Sequence, residues 1–296
     1  MDSCARPAAT GTPHLRTLAV GLLAAVVASP GCVDIVGADI GRYVEREEKH
    51  FSTSGKPDVA LTTFDGSIEV RPWDESGVEV IVEKRGRNKE DVSEIDVHAE
   101  QSGNHVEVTV REPRAHRFGL HFGGRSAKLI VSVPAASDLS AKSGDGSIDV
   151  ERIDGRIQLR SGDGSISARD MGGDLDVHTG DGRVVVSGKL TTVRARSGDG
   201  SVTVHAAPGS APAADWDIVT GDGSVTLELP DDFSADLDAH TGDGRIHMQD
   251  ITVSNVTGQI GRNSLRGRLG AGGHQLRVRT GDGSITLRRP QTAEKP

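Results

Sequence analysis

From residue 141 onward, apolar side chains occupy alternate positions in short bursts: Ile148 and Val150, Ile157 and Leu159, Ile166 and Ala168, Leu175 and Val177, Val184 and Val186, Val193 and Ala195, Val202 and Val204. A period of two belongs to a strand with one buried face, so each burst predicts a short β-strand with these residues turned inward. A Gly-bearing turn precedes every burst, and two turn-plus-strand halves make a unit of 18 residues. Upstream, residues 51–134 show the same period less regularly: Val59 and Leu61, Ile68 and Val70, then Val78, Val80 and Val82, then runs at 105–110 and 128–133. Polar, Gly-containing stretches at 85–91 and 112–124 predict surface loops, and no segment carries a helical period.

The turns repeat as a phrase of Ser or Thr, Gly-Asp-Gly, Ser or Arg, then Ile or Val, starting at Ser143, Ser161, Thr179, Ser197, Thr220, Thr241 and Thr280. The first four copies are 18 residues apart, the next gaps are 23 and 21, and the last is 39, which reads as two periods with one copy worn away. Asp-Gly between alternating runs is also a hairpin signal, and would then give an antiparallel meander. Near-identical turns at constant spacing favour equivalent corners stacked on one another. The expected fold is therefore all-β, a β-solenoid of flattened parallel coils with two short strands each, roughly 45 Å long at about 4.8 Å per coil. Stretches 206–215 and 229–236 are expected to bulge from a corner. Each repeat hydroxyl is in phase with the inward residues before it, which places it where it can bond a turn amide.

Composition sharpens this picture. The 296 residues include 38 glycines and only 3% aromatics, so the core has to be built from thin aliphatic layers. A net charge of -9 argues against a nucleic-acid partner. Both cysteines, Cys4 and Cys32, lie near the start; the apolar block 18–28 behind Arg6 and Arg16 has the length of an export signal, too short to span a bilayer. Ser29-Pro30-Gly31-Cys32 resembles a bacterial lipobox, departing from it at Ser29 and Pro30, and implies lipidation of Cys32. The alternative is cleavage near Ala28 and a secreted or periplasmic chain. The expected organisation is a signal peptide (1–31), a tether (32–50), a less regular β cap (51–140), the repeat solenoid (141–290) and a tail (291–296).

Four features, a leading Phe strand, the DGSIEV phrase at 65–70, a strand ending in Val133-Pro134 and the serial SGDGSI units, resemble the bacterial "putative adhesin" family of exported domains of unknown function. The resemblance runs from about Tyr43 to Arg289 and implies a β-solenoid at the cell envelope, with no catalytic residues to carry over.

The repeated carboxylates are Asp145, Asp163, Asp181, Asp199, Asp222, Asp243 and Asp282. Each is expected to cap its own turn, the flanking glycines adopting backbone shapes closed to other residues. Stacked in register they would form a column about 5 Å apart, for which calcium is the natural oxygen-liganded ion. The Gly-Gly-x-Gly-x-Asp nonapeptide of calcium-binding β-rolls is absent, so capping is the preferred role and no cofactor is expected. Histidines such as His178 and His240 fall on outward positions without metal spacing, His116 and His121 lie in a loop, and no G-x-S-x-G elbow is present. A polysaccharide-active β-helix enzyme would need clustered acids, whereas these are spread evenly. The reading that follows is a non-catalytic envelope lipoprotein, anchored through lipid to the membrane and presenting a repetitive surface to an envelope or extracellular protein or glycan. A calcium-dependent structural module is its alternative, and a polysaccharide-active β-helix enzyme a second.

Overall fold

A computed structural model describes residues 33–34, 43–112, 124–258 and 262–290. The fourteen inward residues named first above are all at most 2% exposed, so the period of two is borne out across the repeats. Consecutive bursts run on opposite walls of a flattened tube, and equivalent bursts pair in parallel: Ile148 with Ile166, Ile166 with Val184, Val184 with Val202 and Val202 with Val225 on one wall. Leu139 with Ile157, Ile157 with Leu175, Leu175 with Val193 and Ala195 with Ile218 do so on the other. The chain is a β-solenoid, and the hairpin meander is excluded for the repeats because their pairing is parallel.

Among the described residues nine coils stack along the rod. From the N-terminal end their strands are His105–Arg111 with Ser126–Pro134 (coil 1), Asp58–Thr63 with Ile68–Trp73 (coil 2), and Asp138–Ser143 with Ile148–Glu151 (coil 3). Coil 4 is Asp154–Ser161 with 166–169, coil 5 is 174–179 with 184–187, and coil 6 is 192–197 with Val202–Ala206. Coil 7 is Trp216–Thr220 with Val225–Glu228, coil 8 is Gln275–Thr280 with Ile285–Arg288, and coil 9 is Ala235–Thr241 with Ile246–Gln249.

The order at both ends departs from chain order. Asp58–Thr63 precedes His105–Arg111 in sequence yet lies inside it, and the last coil of the sequence, coil 8, is inserted between coils 7 and 9. The gap of 39 residues therefore holds no worn copy of the repeat. Instead Val253–Gly258 and Ser264–Leu269 form an antiparallel pair added to Ala235–Thr241 at the far end of one wall, before the chain turns back to insert coil 8.

Antiparallel strands close the N-terminal end as well. Val78–Gly86 adds to Ser126–Pro134, Tyr43–Phe51 to Val78–Gly86, and Asp96–Ser102 to His105–Arg111. Residues 43–50, expected within the tether, thus belong to a strand of the rod, Tyr43–Phe51. The loop expected at 85–91 includes the start of a one-turn helix, Lys89–Ser93, whose Asn88 side chain accepts the Asp91 N–H at 2.8 Å while Val92 is buried beneath it. Residues 207–215 form a loop, with Ser210 buried and bonded to Gly188 and Leu190, whereas the stretch 229–236 carries core residues and already enters the strand Ala235–Thr241 at its end. Phe233 packs edge-on against Trp216 with ring centroids 5.1 Å apart, and both are buried.

Candidate functional site

The corner phrase was the first candidate for a site, and its atoms are engaged in stacking. Ser161 Oγ accepts the N–H of Gly164 in its own turn at 3.0 Å and donates to the Gly146 carbonyl of the coil below at 2.9 Å. The same downward bond recurs from Ser143 to Gly66, Thr179 to Gly164, Ser197 to Gly182, Thr220 to Gly200, Thr280 to Gly223 and Thr241 to Gly283, at 2.7 to 2.9 Å. Thr63 makes the equivalent bond to Ala127. These hydroxyls are buried, and their inward phase is as the sequence predicts. In five phrases, at Gly162, Gly180, Gly198, Gly221 and Gly281, the first glycine donates its N–H to the first glycine below, as from Gly180 to Gly162 and Gly221 to Gly198, both at 2.5 Å, whereas Gly144 and Gly242 donate to the Thr63 and Thr280 carbonyls.

None of the glycines in the seven Gly-Asp-Gly turns has a positive φ. They are required because corners approach too closely for a side chain: a Cβ on Gly182 would stand 2.5 Å from the Gly164 carbonyl carbon and closer still to its oxygen. The special backbone shape expected of them belongs only to Gly66, in the degenerate first copy, with φ +133°.

At Ser143, Ser161, Ser197, Thr241 and Thr280 the hydroxyl accepts the N–H of the second glycine of its own turn, the kind of capping bond expected of the aspartates. Asp145, Asp163, Asp181, Asp199, Asp222, Asp243 and Asp282 are all exposed at the corner apex. The carboxylates of Asp145 and Asp163 lie over the first glycine of the next coil, with Oδ1 3.0 and 3.1 Å from where a Cβ of Gly162 or Gly180 would be. Their column continues down to Asp65, whose carboxyl is pushed up by burial and then by the neighbouring Asp145 charge. Cys32, the signal segment, His116 and His121 lie outside the described residues.

The walls carry a second pattern that local reading missed. One column of directly opposed outward residues runs Asp176, Arg194, Asp217, Arg277, Asp238, Arg266, so acid and base alternate across six neighbouring strands. Arg196 reaches Asp217 at 2.5 Å, Arg279 reaches Asp238 at 2.7 Å, and Arg266 and Arg268 reach Asp238 and Asp236 at 3.3 and 3.2 Å. The Arg279 guanidinium, with Arg266, holds the Asp238 carboxyl below its ordinary value against the effect of burial. Opposed unlike charges contribute roughly 0.2–1 kcal/mol per pair, and like charges directly opposite are destabilising. Serial stacking would set Asp217 against Asp238, so the inserted coil, with its Arg277 and Arg279, supplies the base that the order needs. On the other wall Arg288 of the same coil bonds Glu228 at 2.8 Å.

Of the polar clusters at the N-terminal end, two bear on possible chemistry. Asp91, nearly buried, binds Arg87 at 2.7 Å and Arg125 at 2.8 Å; Arg87 first and Arg125 with it hold its carboxyl at about 2, against burial. Glu48, His50 and Glu79 form the only grouping of metal-ligating type among the described residues. His50 Nε2 lies 2.6 Å from Glu48 and Nδ1 3.9 Å from Glu79. The two ring nitrogens thus face different carboxylates, and the imidazole bridges neighbouring strands instead of sharing one metal point with both acids.

Comparison with known proteins adds the following. The family model described as Toastrack DUF4097 matches residues 58–215 and 176–288. No curated protein matches the chain. Among solved structures, a "putative cell adhesion protein" from Clostridium sporogenes ATCC 15579 is 13% identical, covering 83% of this chain and 99% of its own, with TM-score 0.41. A "putative adhesin" from Bacteroides fragilis NCTC 9343 is 10% identical over 82% and 96%, TM-score 0.40. A "putative lipid binding protein" from Parabacteroides distasonis ATCC 8503 is 11% identical over 83% and 97%, TM-score 0.34.

Proposed function

The chain belongs to the Toastrack DUF4097 family, and on that premise we propose that it is a non-catalytic, exported rod of the cell envelope, anchored through lipid at Cys32 and presenting its walls and far end to a protein or glycan. The observation that carries this reading is where the repeat spends its chemistry. Corner hydroxyls donate to glycine carbonyls of the coil below, and first-glycine amides such as those of Gly180 and Gly221 do likewise, which supports a stiff spacer that leaves recognition to the walls and ends. Trp216 and Phe233 are buried in the core and offer no ring for a sugar to stack upon.

The anchor fits the geometry. Val33–Asp34 pairs antiparallel with Tyr43–Phe51 at the N-terminal end, so a lipid on the residue just before Val33 holds that end at the bilayer. Coil 9 and its added strands then stand on the order of 40 Å away, at about 4.8 Å per coil.

Mass spectrometry of the N-terminal peptide from an envelope fraction tests the anchor. Diacylglycerol on Cys32, and release of Cys32→Ser from the membrane fraction, is the expected result. An unmodified Cys32 together with unchanged fractionation of the variant would sink the lipoprotein reading.

A further inference from the structure

The alternation of charge along the wall stops at the far end on a base. Inside the stack an arginine has acids on both sides: Arg194 stands between Asp176 and Asp217, and Arg277 between Asp217 and Asp238. Arg266 and Arg268, on the strand added to coil 9, have Asp238 and Asp236 on one side only. On their other side the final strand sets Thr257 opposite Arg266 and Ser254 opposite Arg268, neither of them charged. Arg266 is accordingly 68% exposed.

That final strand, Val253–Gly258, pairs on one side only among the described strands. A register shift between Ser254 and Thr257 turns Val256 outward, and Val256, 41% exposed, is the one large exposed hydrophobic among the described residues. The stretch from Arg245 to His274 holds four arginines against a single acid, Asp250.

We propose that this end docks an extended, acidic protein segment, added as a strand along Val253–Gly258 with its carboxylates completing the half-paired Arg266 and Arg268 and an apolar side chain covering Val256. The principle is strand addition: backbone bonds to a free edge supply affinity, and alternate side chains supply selection. Here selection would come from the long Arg266 and Arg268 side chains reaching across Thr257 and Ser254 to acids on the added strand. The proposal rests on the presenting-rod reading, since it names the kind of partner met by the end far from the anchor.

The test uses fluorescence anisotropy on the purified protein with two labelled seven-residue peptides, one alternating Glu and Val and one alternating Lys and Val. The Glu peptide is expected to bind at least tenfold tighter than the Lys peptide, and to weaken as salt rises. Thr257→Glu places the missing acid opposite Arg266 without removing any internal partner, and is expected to reduce Glu-peptide binding about tenfold with the melting midpoint retained. Equal binding of the two peptides, or Glu-peptide affinity unchanged in Thr257→Glu, would overturn the proposal. Concentration-dependent dimers dispersed by the Glu peptide would also overturn it, assigning the edge to a second copy of this chain. Because binding is read in solution, its failure leaves the Cys32 result untouched, and the converse holds.

Discussion

Gly182→Ala separates a stacking role for the corner glycines from a conformational one. Gly182 lies outside the left-handed region, so alanine meets no φ penalty there. Its Cβ would instead stand 2.5 Å from the Gly164 carbonyl carbon and 2.8 Å from Ser165 N, all backbone atoms that cannot swing aside. Ordinary contact is about 3.5–4.0 Å, so adjacent corners would have to part by about 1 Å. Bonds on both sides resist this: Thr179 donates to Gly164 at 2.8 Å and Ser197 to Gly182 at 2.8 Å. Overpacking of this kind costs about 1–3 kcal/mol, and one loosened hydrogen bond adds roughly 0.5–1.5. A loss of about 2–4 kcal/mol follows, which at ~2–4 °C per kcal/mol lowers the melting midpoint by about 4–16 °C. Circular dichroism melts give the midpoint. Hydrogen exchange over 176–206 is needed beside them, because stacked repeats open locally as well as globally. Gly182→Asn discriminates further, since asparagine is tolerated where a left-handed turn is required and is no smaller than alanine where space is lacking. A midpoint within about 2 °C of wild type for both variants would refute the stacking argument.

Two further outcomes follow from the corners and the N-terminal cluster. Ser161→Ala leaves the Gly164 N–H and the Gly146 carbonyl without their bonds and is expected to cost about 1–3 kcal/mol, whereas Asp163→Asn, at an exposed apex in a column of like charge, is expected to leave stability unchanged or raised. The same pair of melts repeated with calcium and with EDTA tests the metal alternative: a calcium-dependent rise in wild type that Asp163→Asn abolishes would reinstate it. Asp91 has a folded value near 2 against 3.8 for the free group, so its contribution is present above about pH 4 and is lost as pH falls towards 2. Acid titration of wild type should therefore show the N-terminal end loosening in that window, and Asp91→Asn should lose the dependence there while being less stable at neutral pH.

The strands were legible because their signal is local. Ile148, Val150 and their counterparts follow the period of two, and Ser161 and Thr179 share their phase, so burial of both could be read from the chain. What escaped reading depends on which coil lies beside which. The need for glycine at 164 and 182 arises from the coil below, and a turn read alone attributes it to backbone shape and credits Asp163 with the cap. The insertion of coil 8 is written in Asp217, Arg277 and Asp238, but that signal becomes readable only once strands are placed in register. Asn88, three residues before Asp91, is a helix-start signal that was available and is easily missed when the helix is a single turn.

Coil order is the claim on which the charge argument and the docking end both depend, and a spin-label distance tests it directly. Ser167 serves as the common reference on one wall, paired in turn with Thr286 or His247, in a chain whose Cys4 and Cys32 are replaced by Ser. Register places four strand steps between Ser167 and Thr286, through Val185, Thr203 and Thr226, and five between Ser167 and His247. At about 4.8 Å per step the backbone separations are about 19 and 24 Å. The account predicts that the label at 286 is nearer to 167 than the label at 247, by about 5 Å. The reverse order, with 247 nearer, would mean that the coils stack serially and would contradict it.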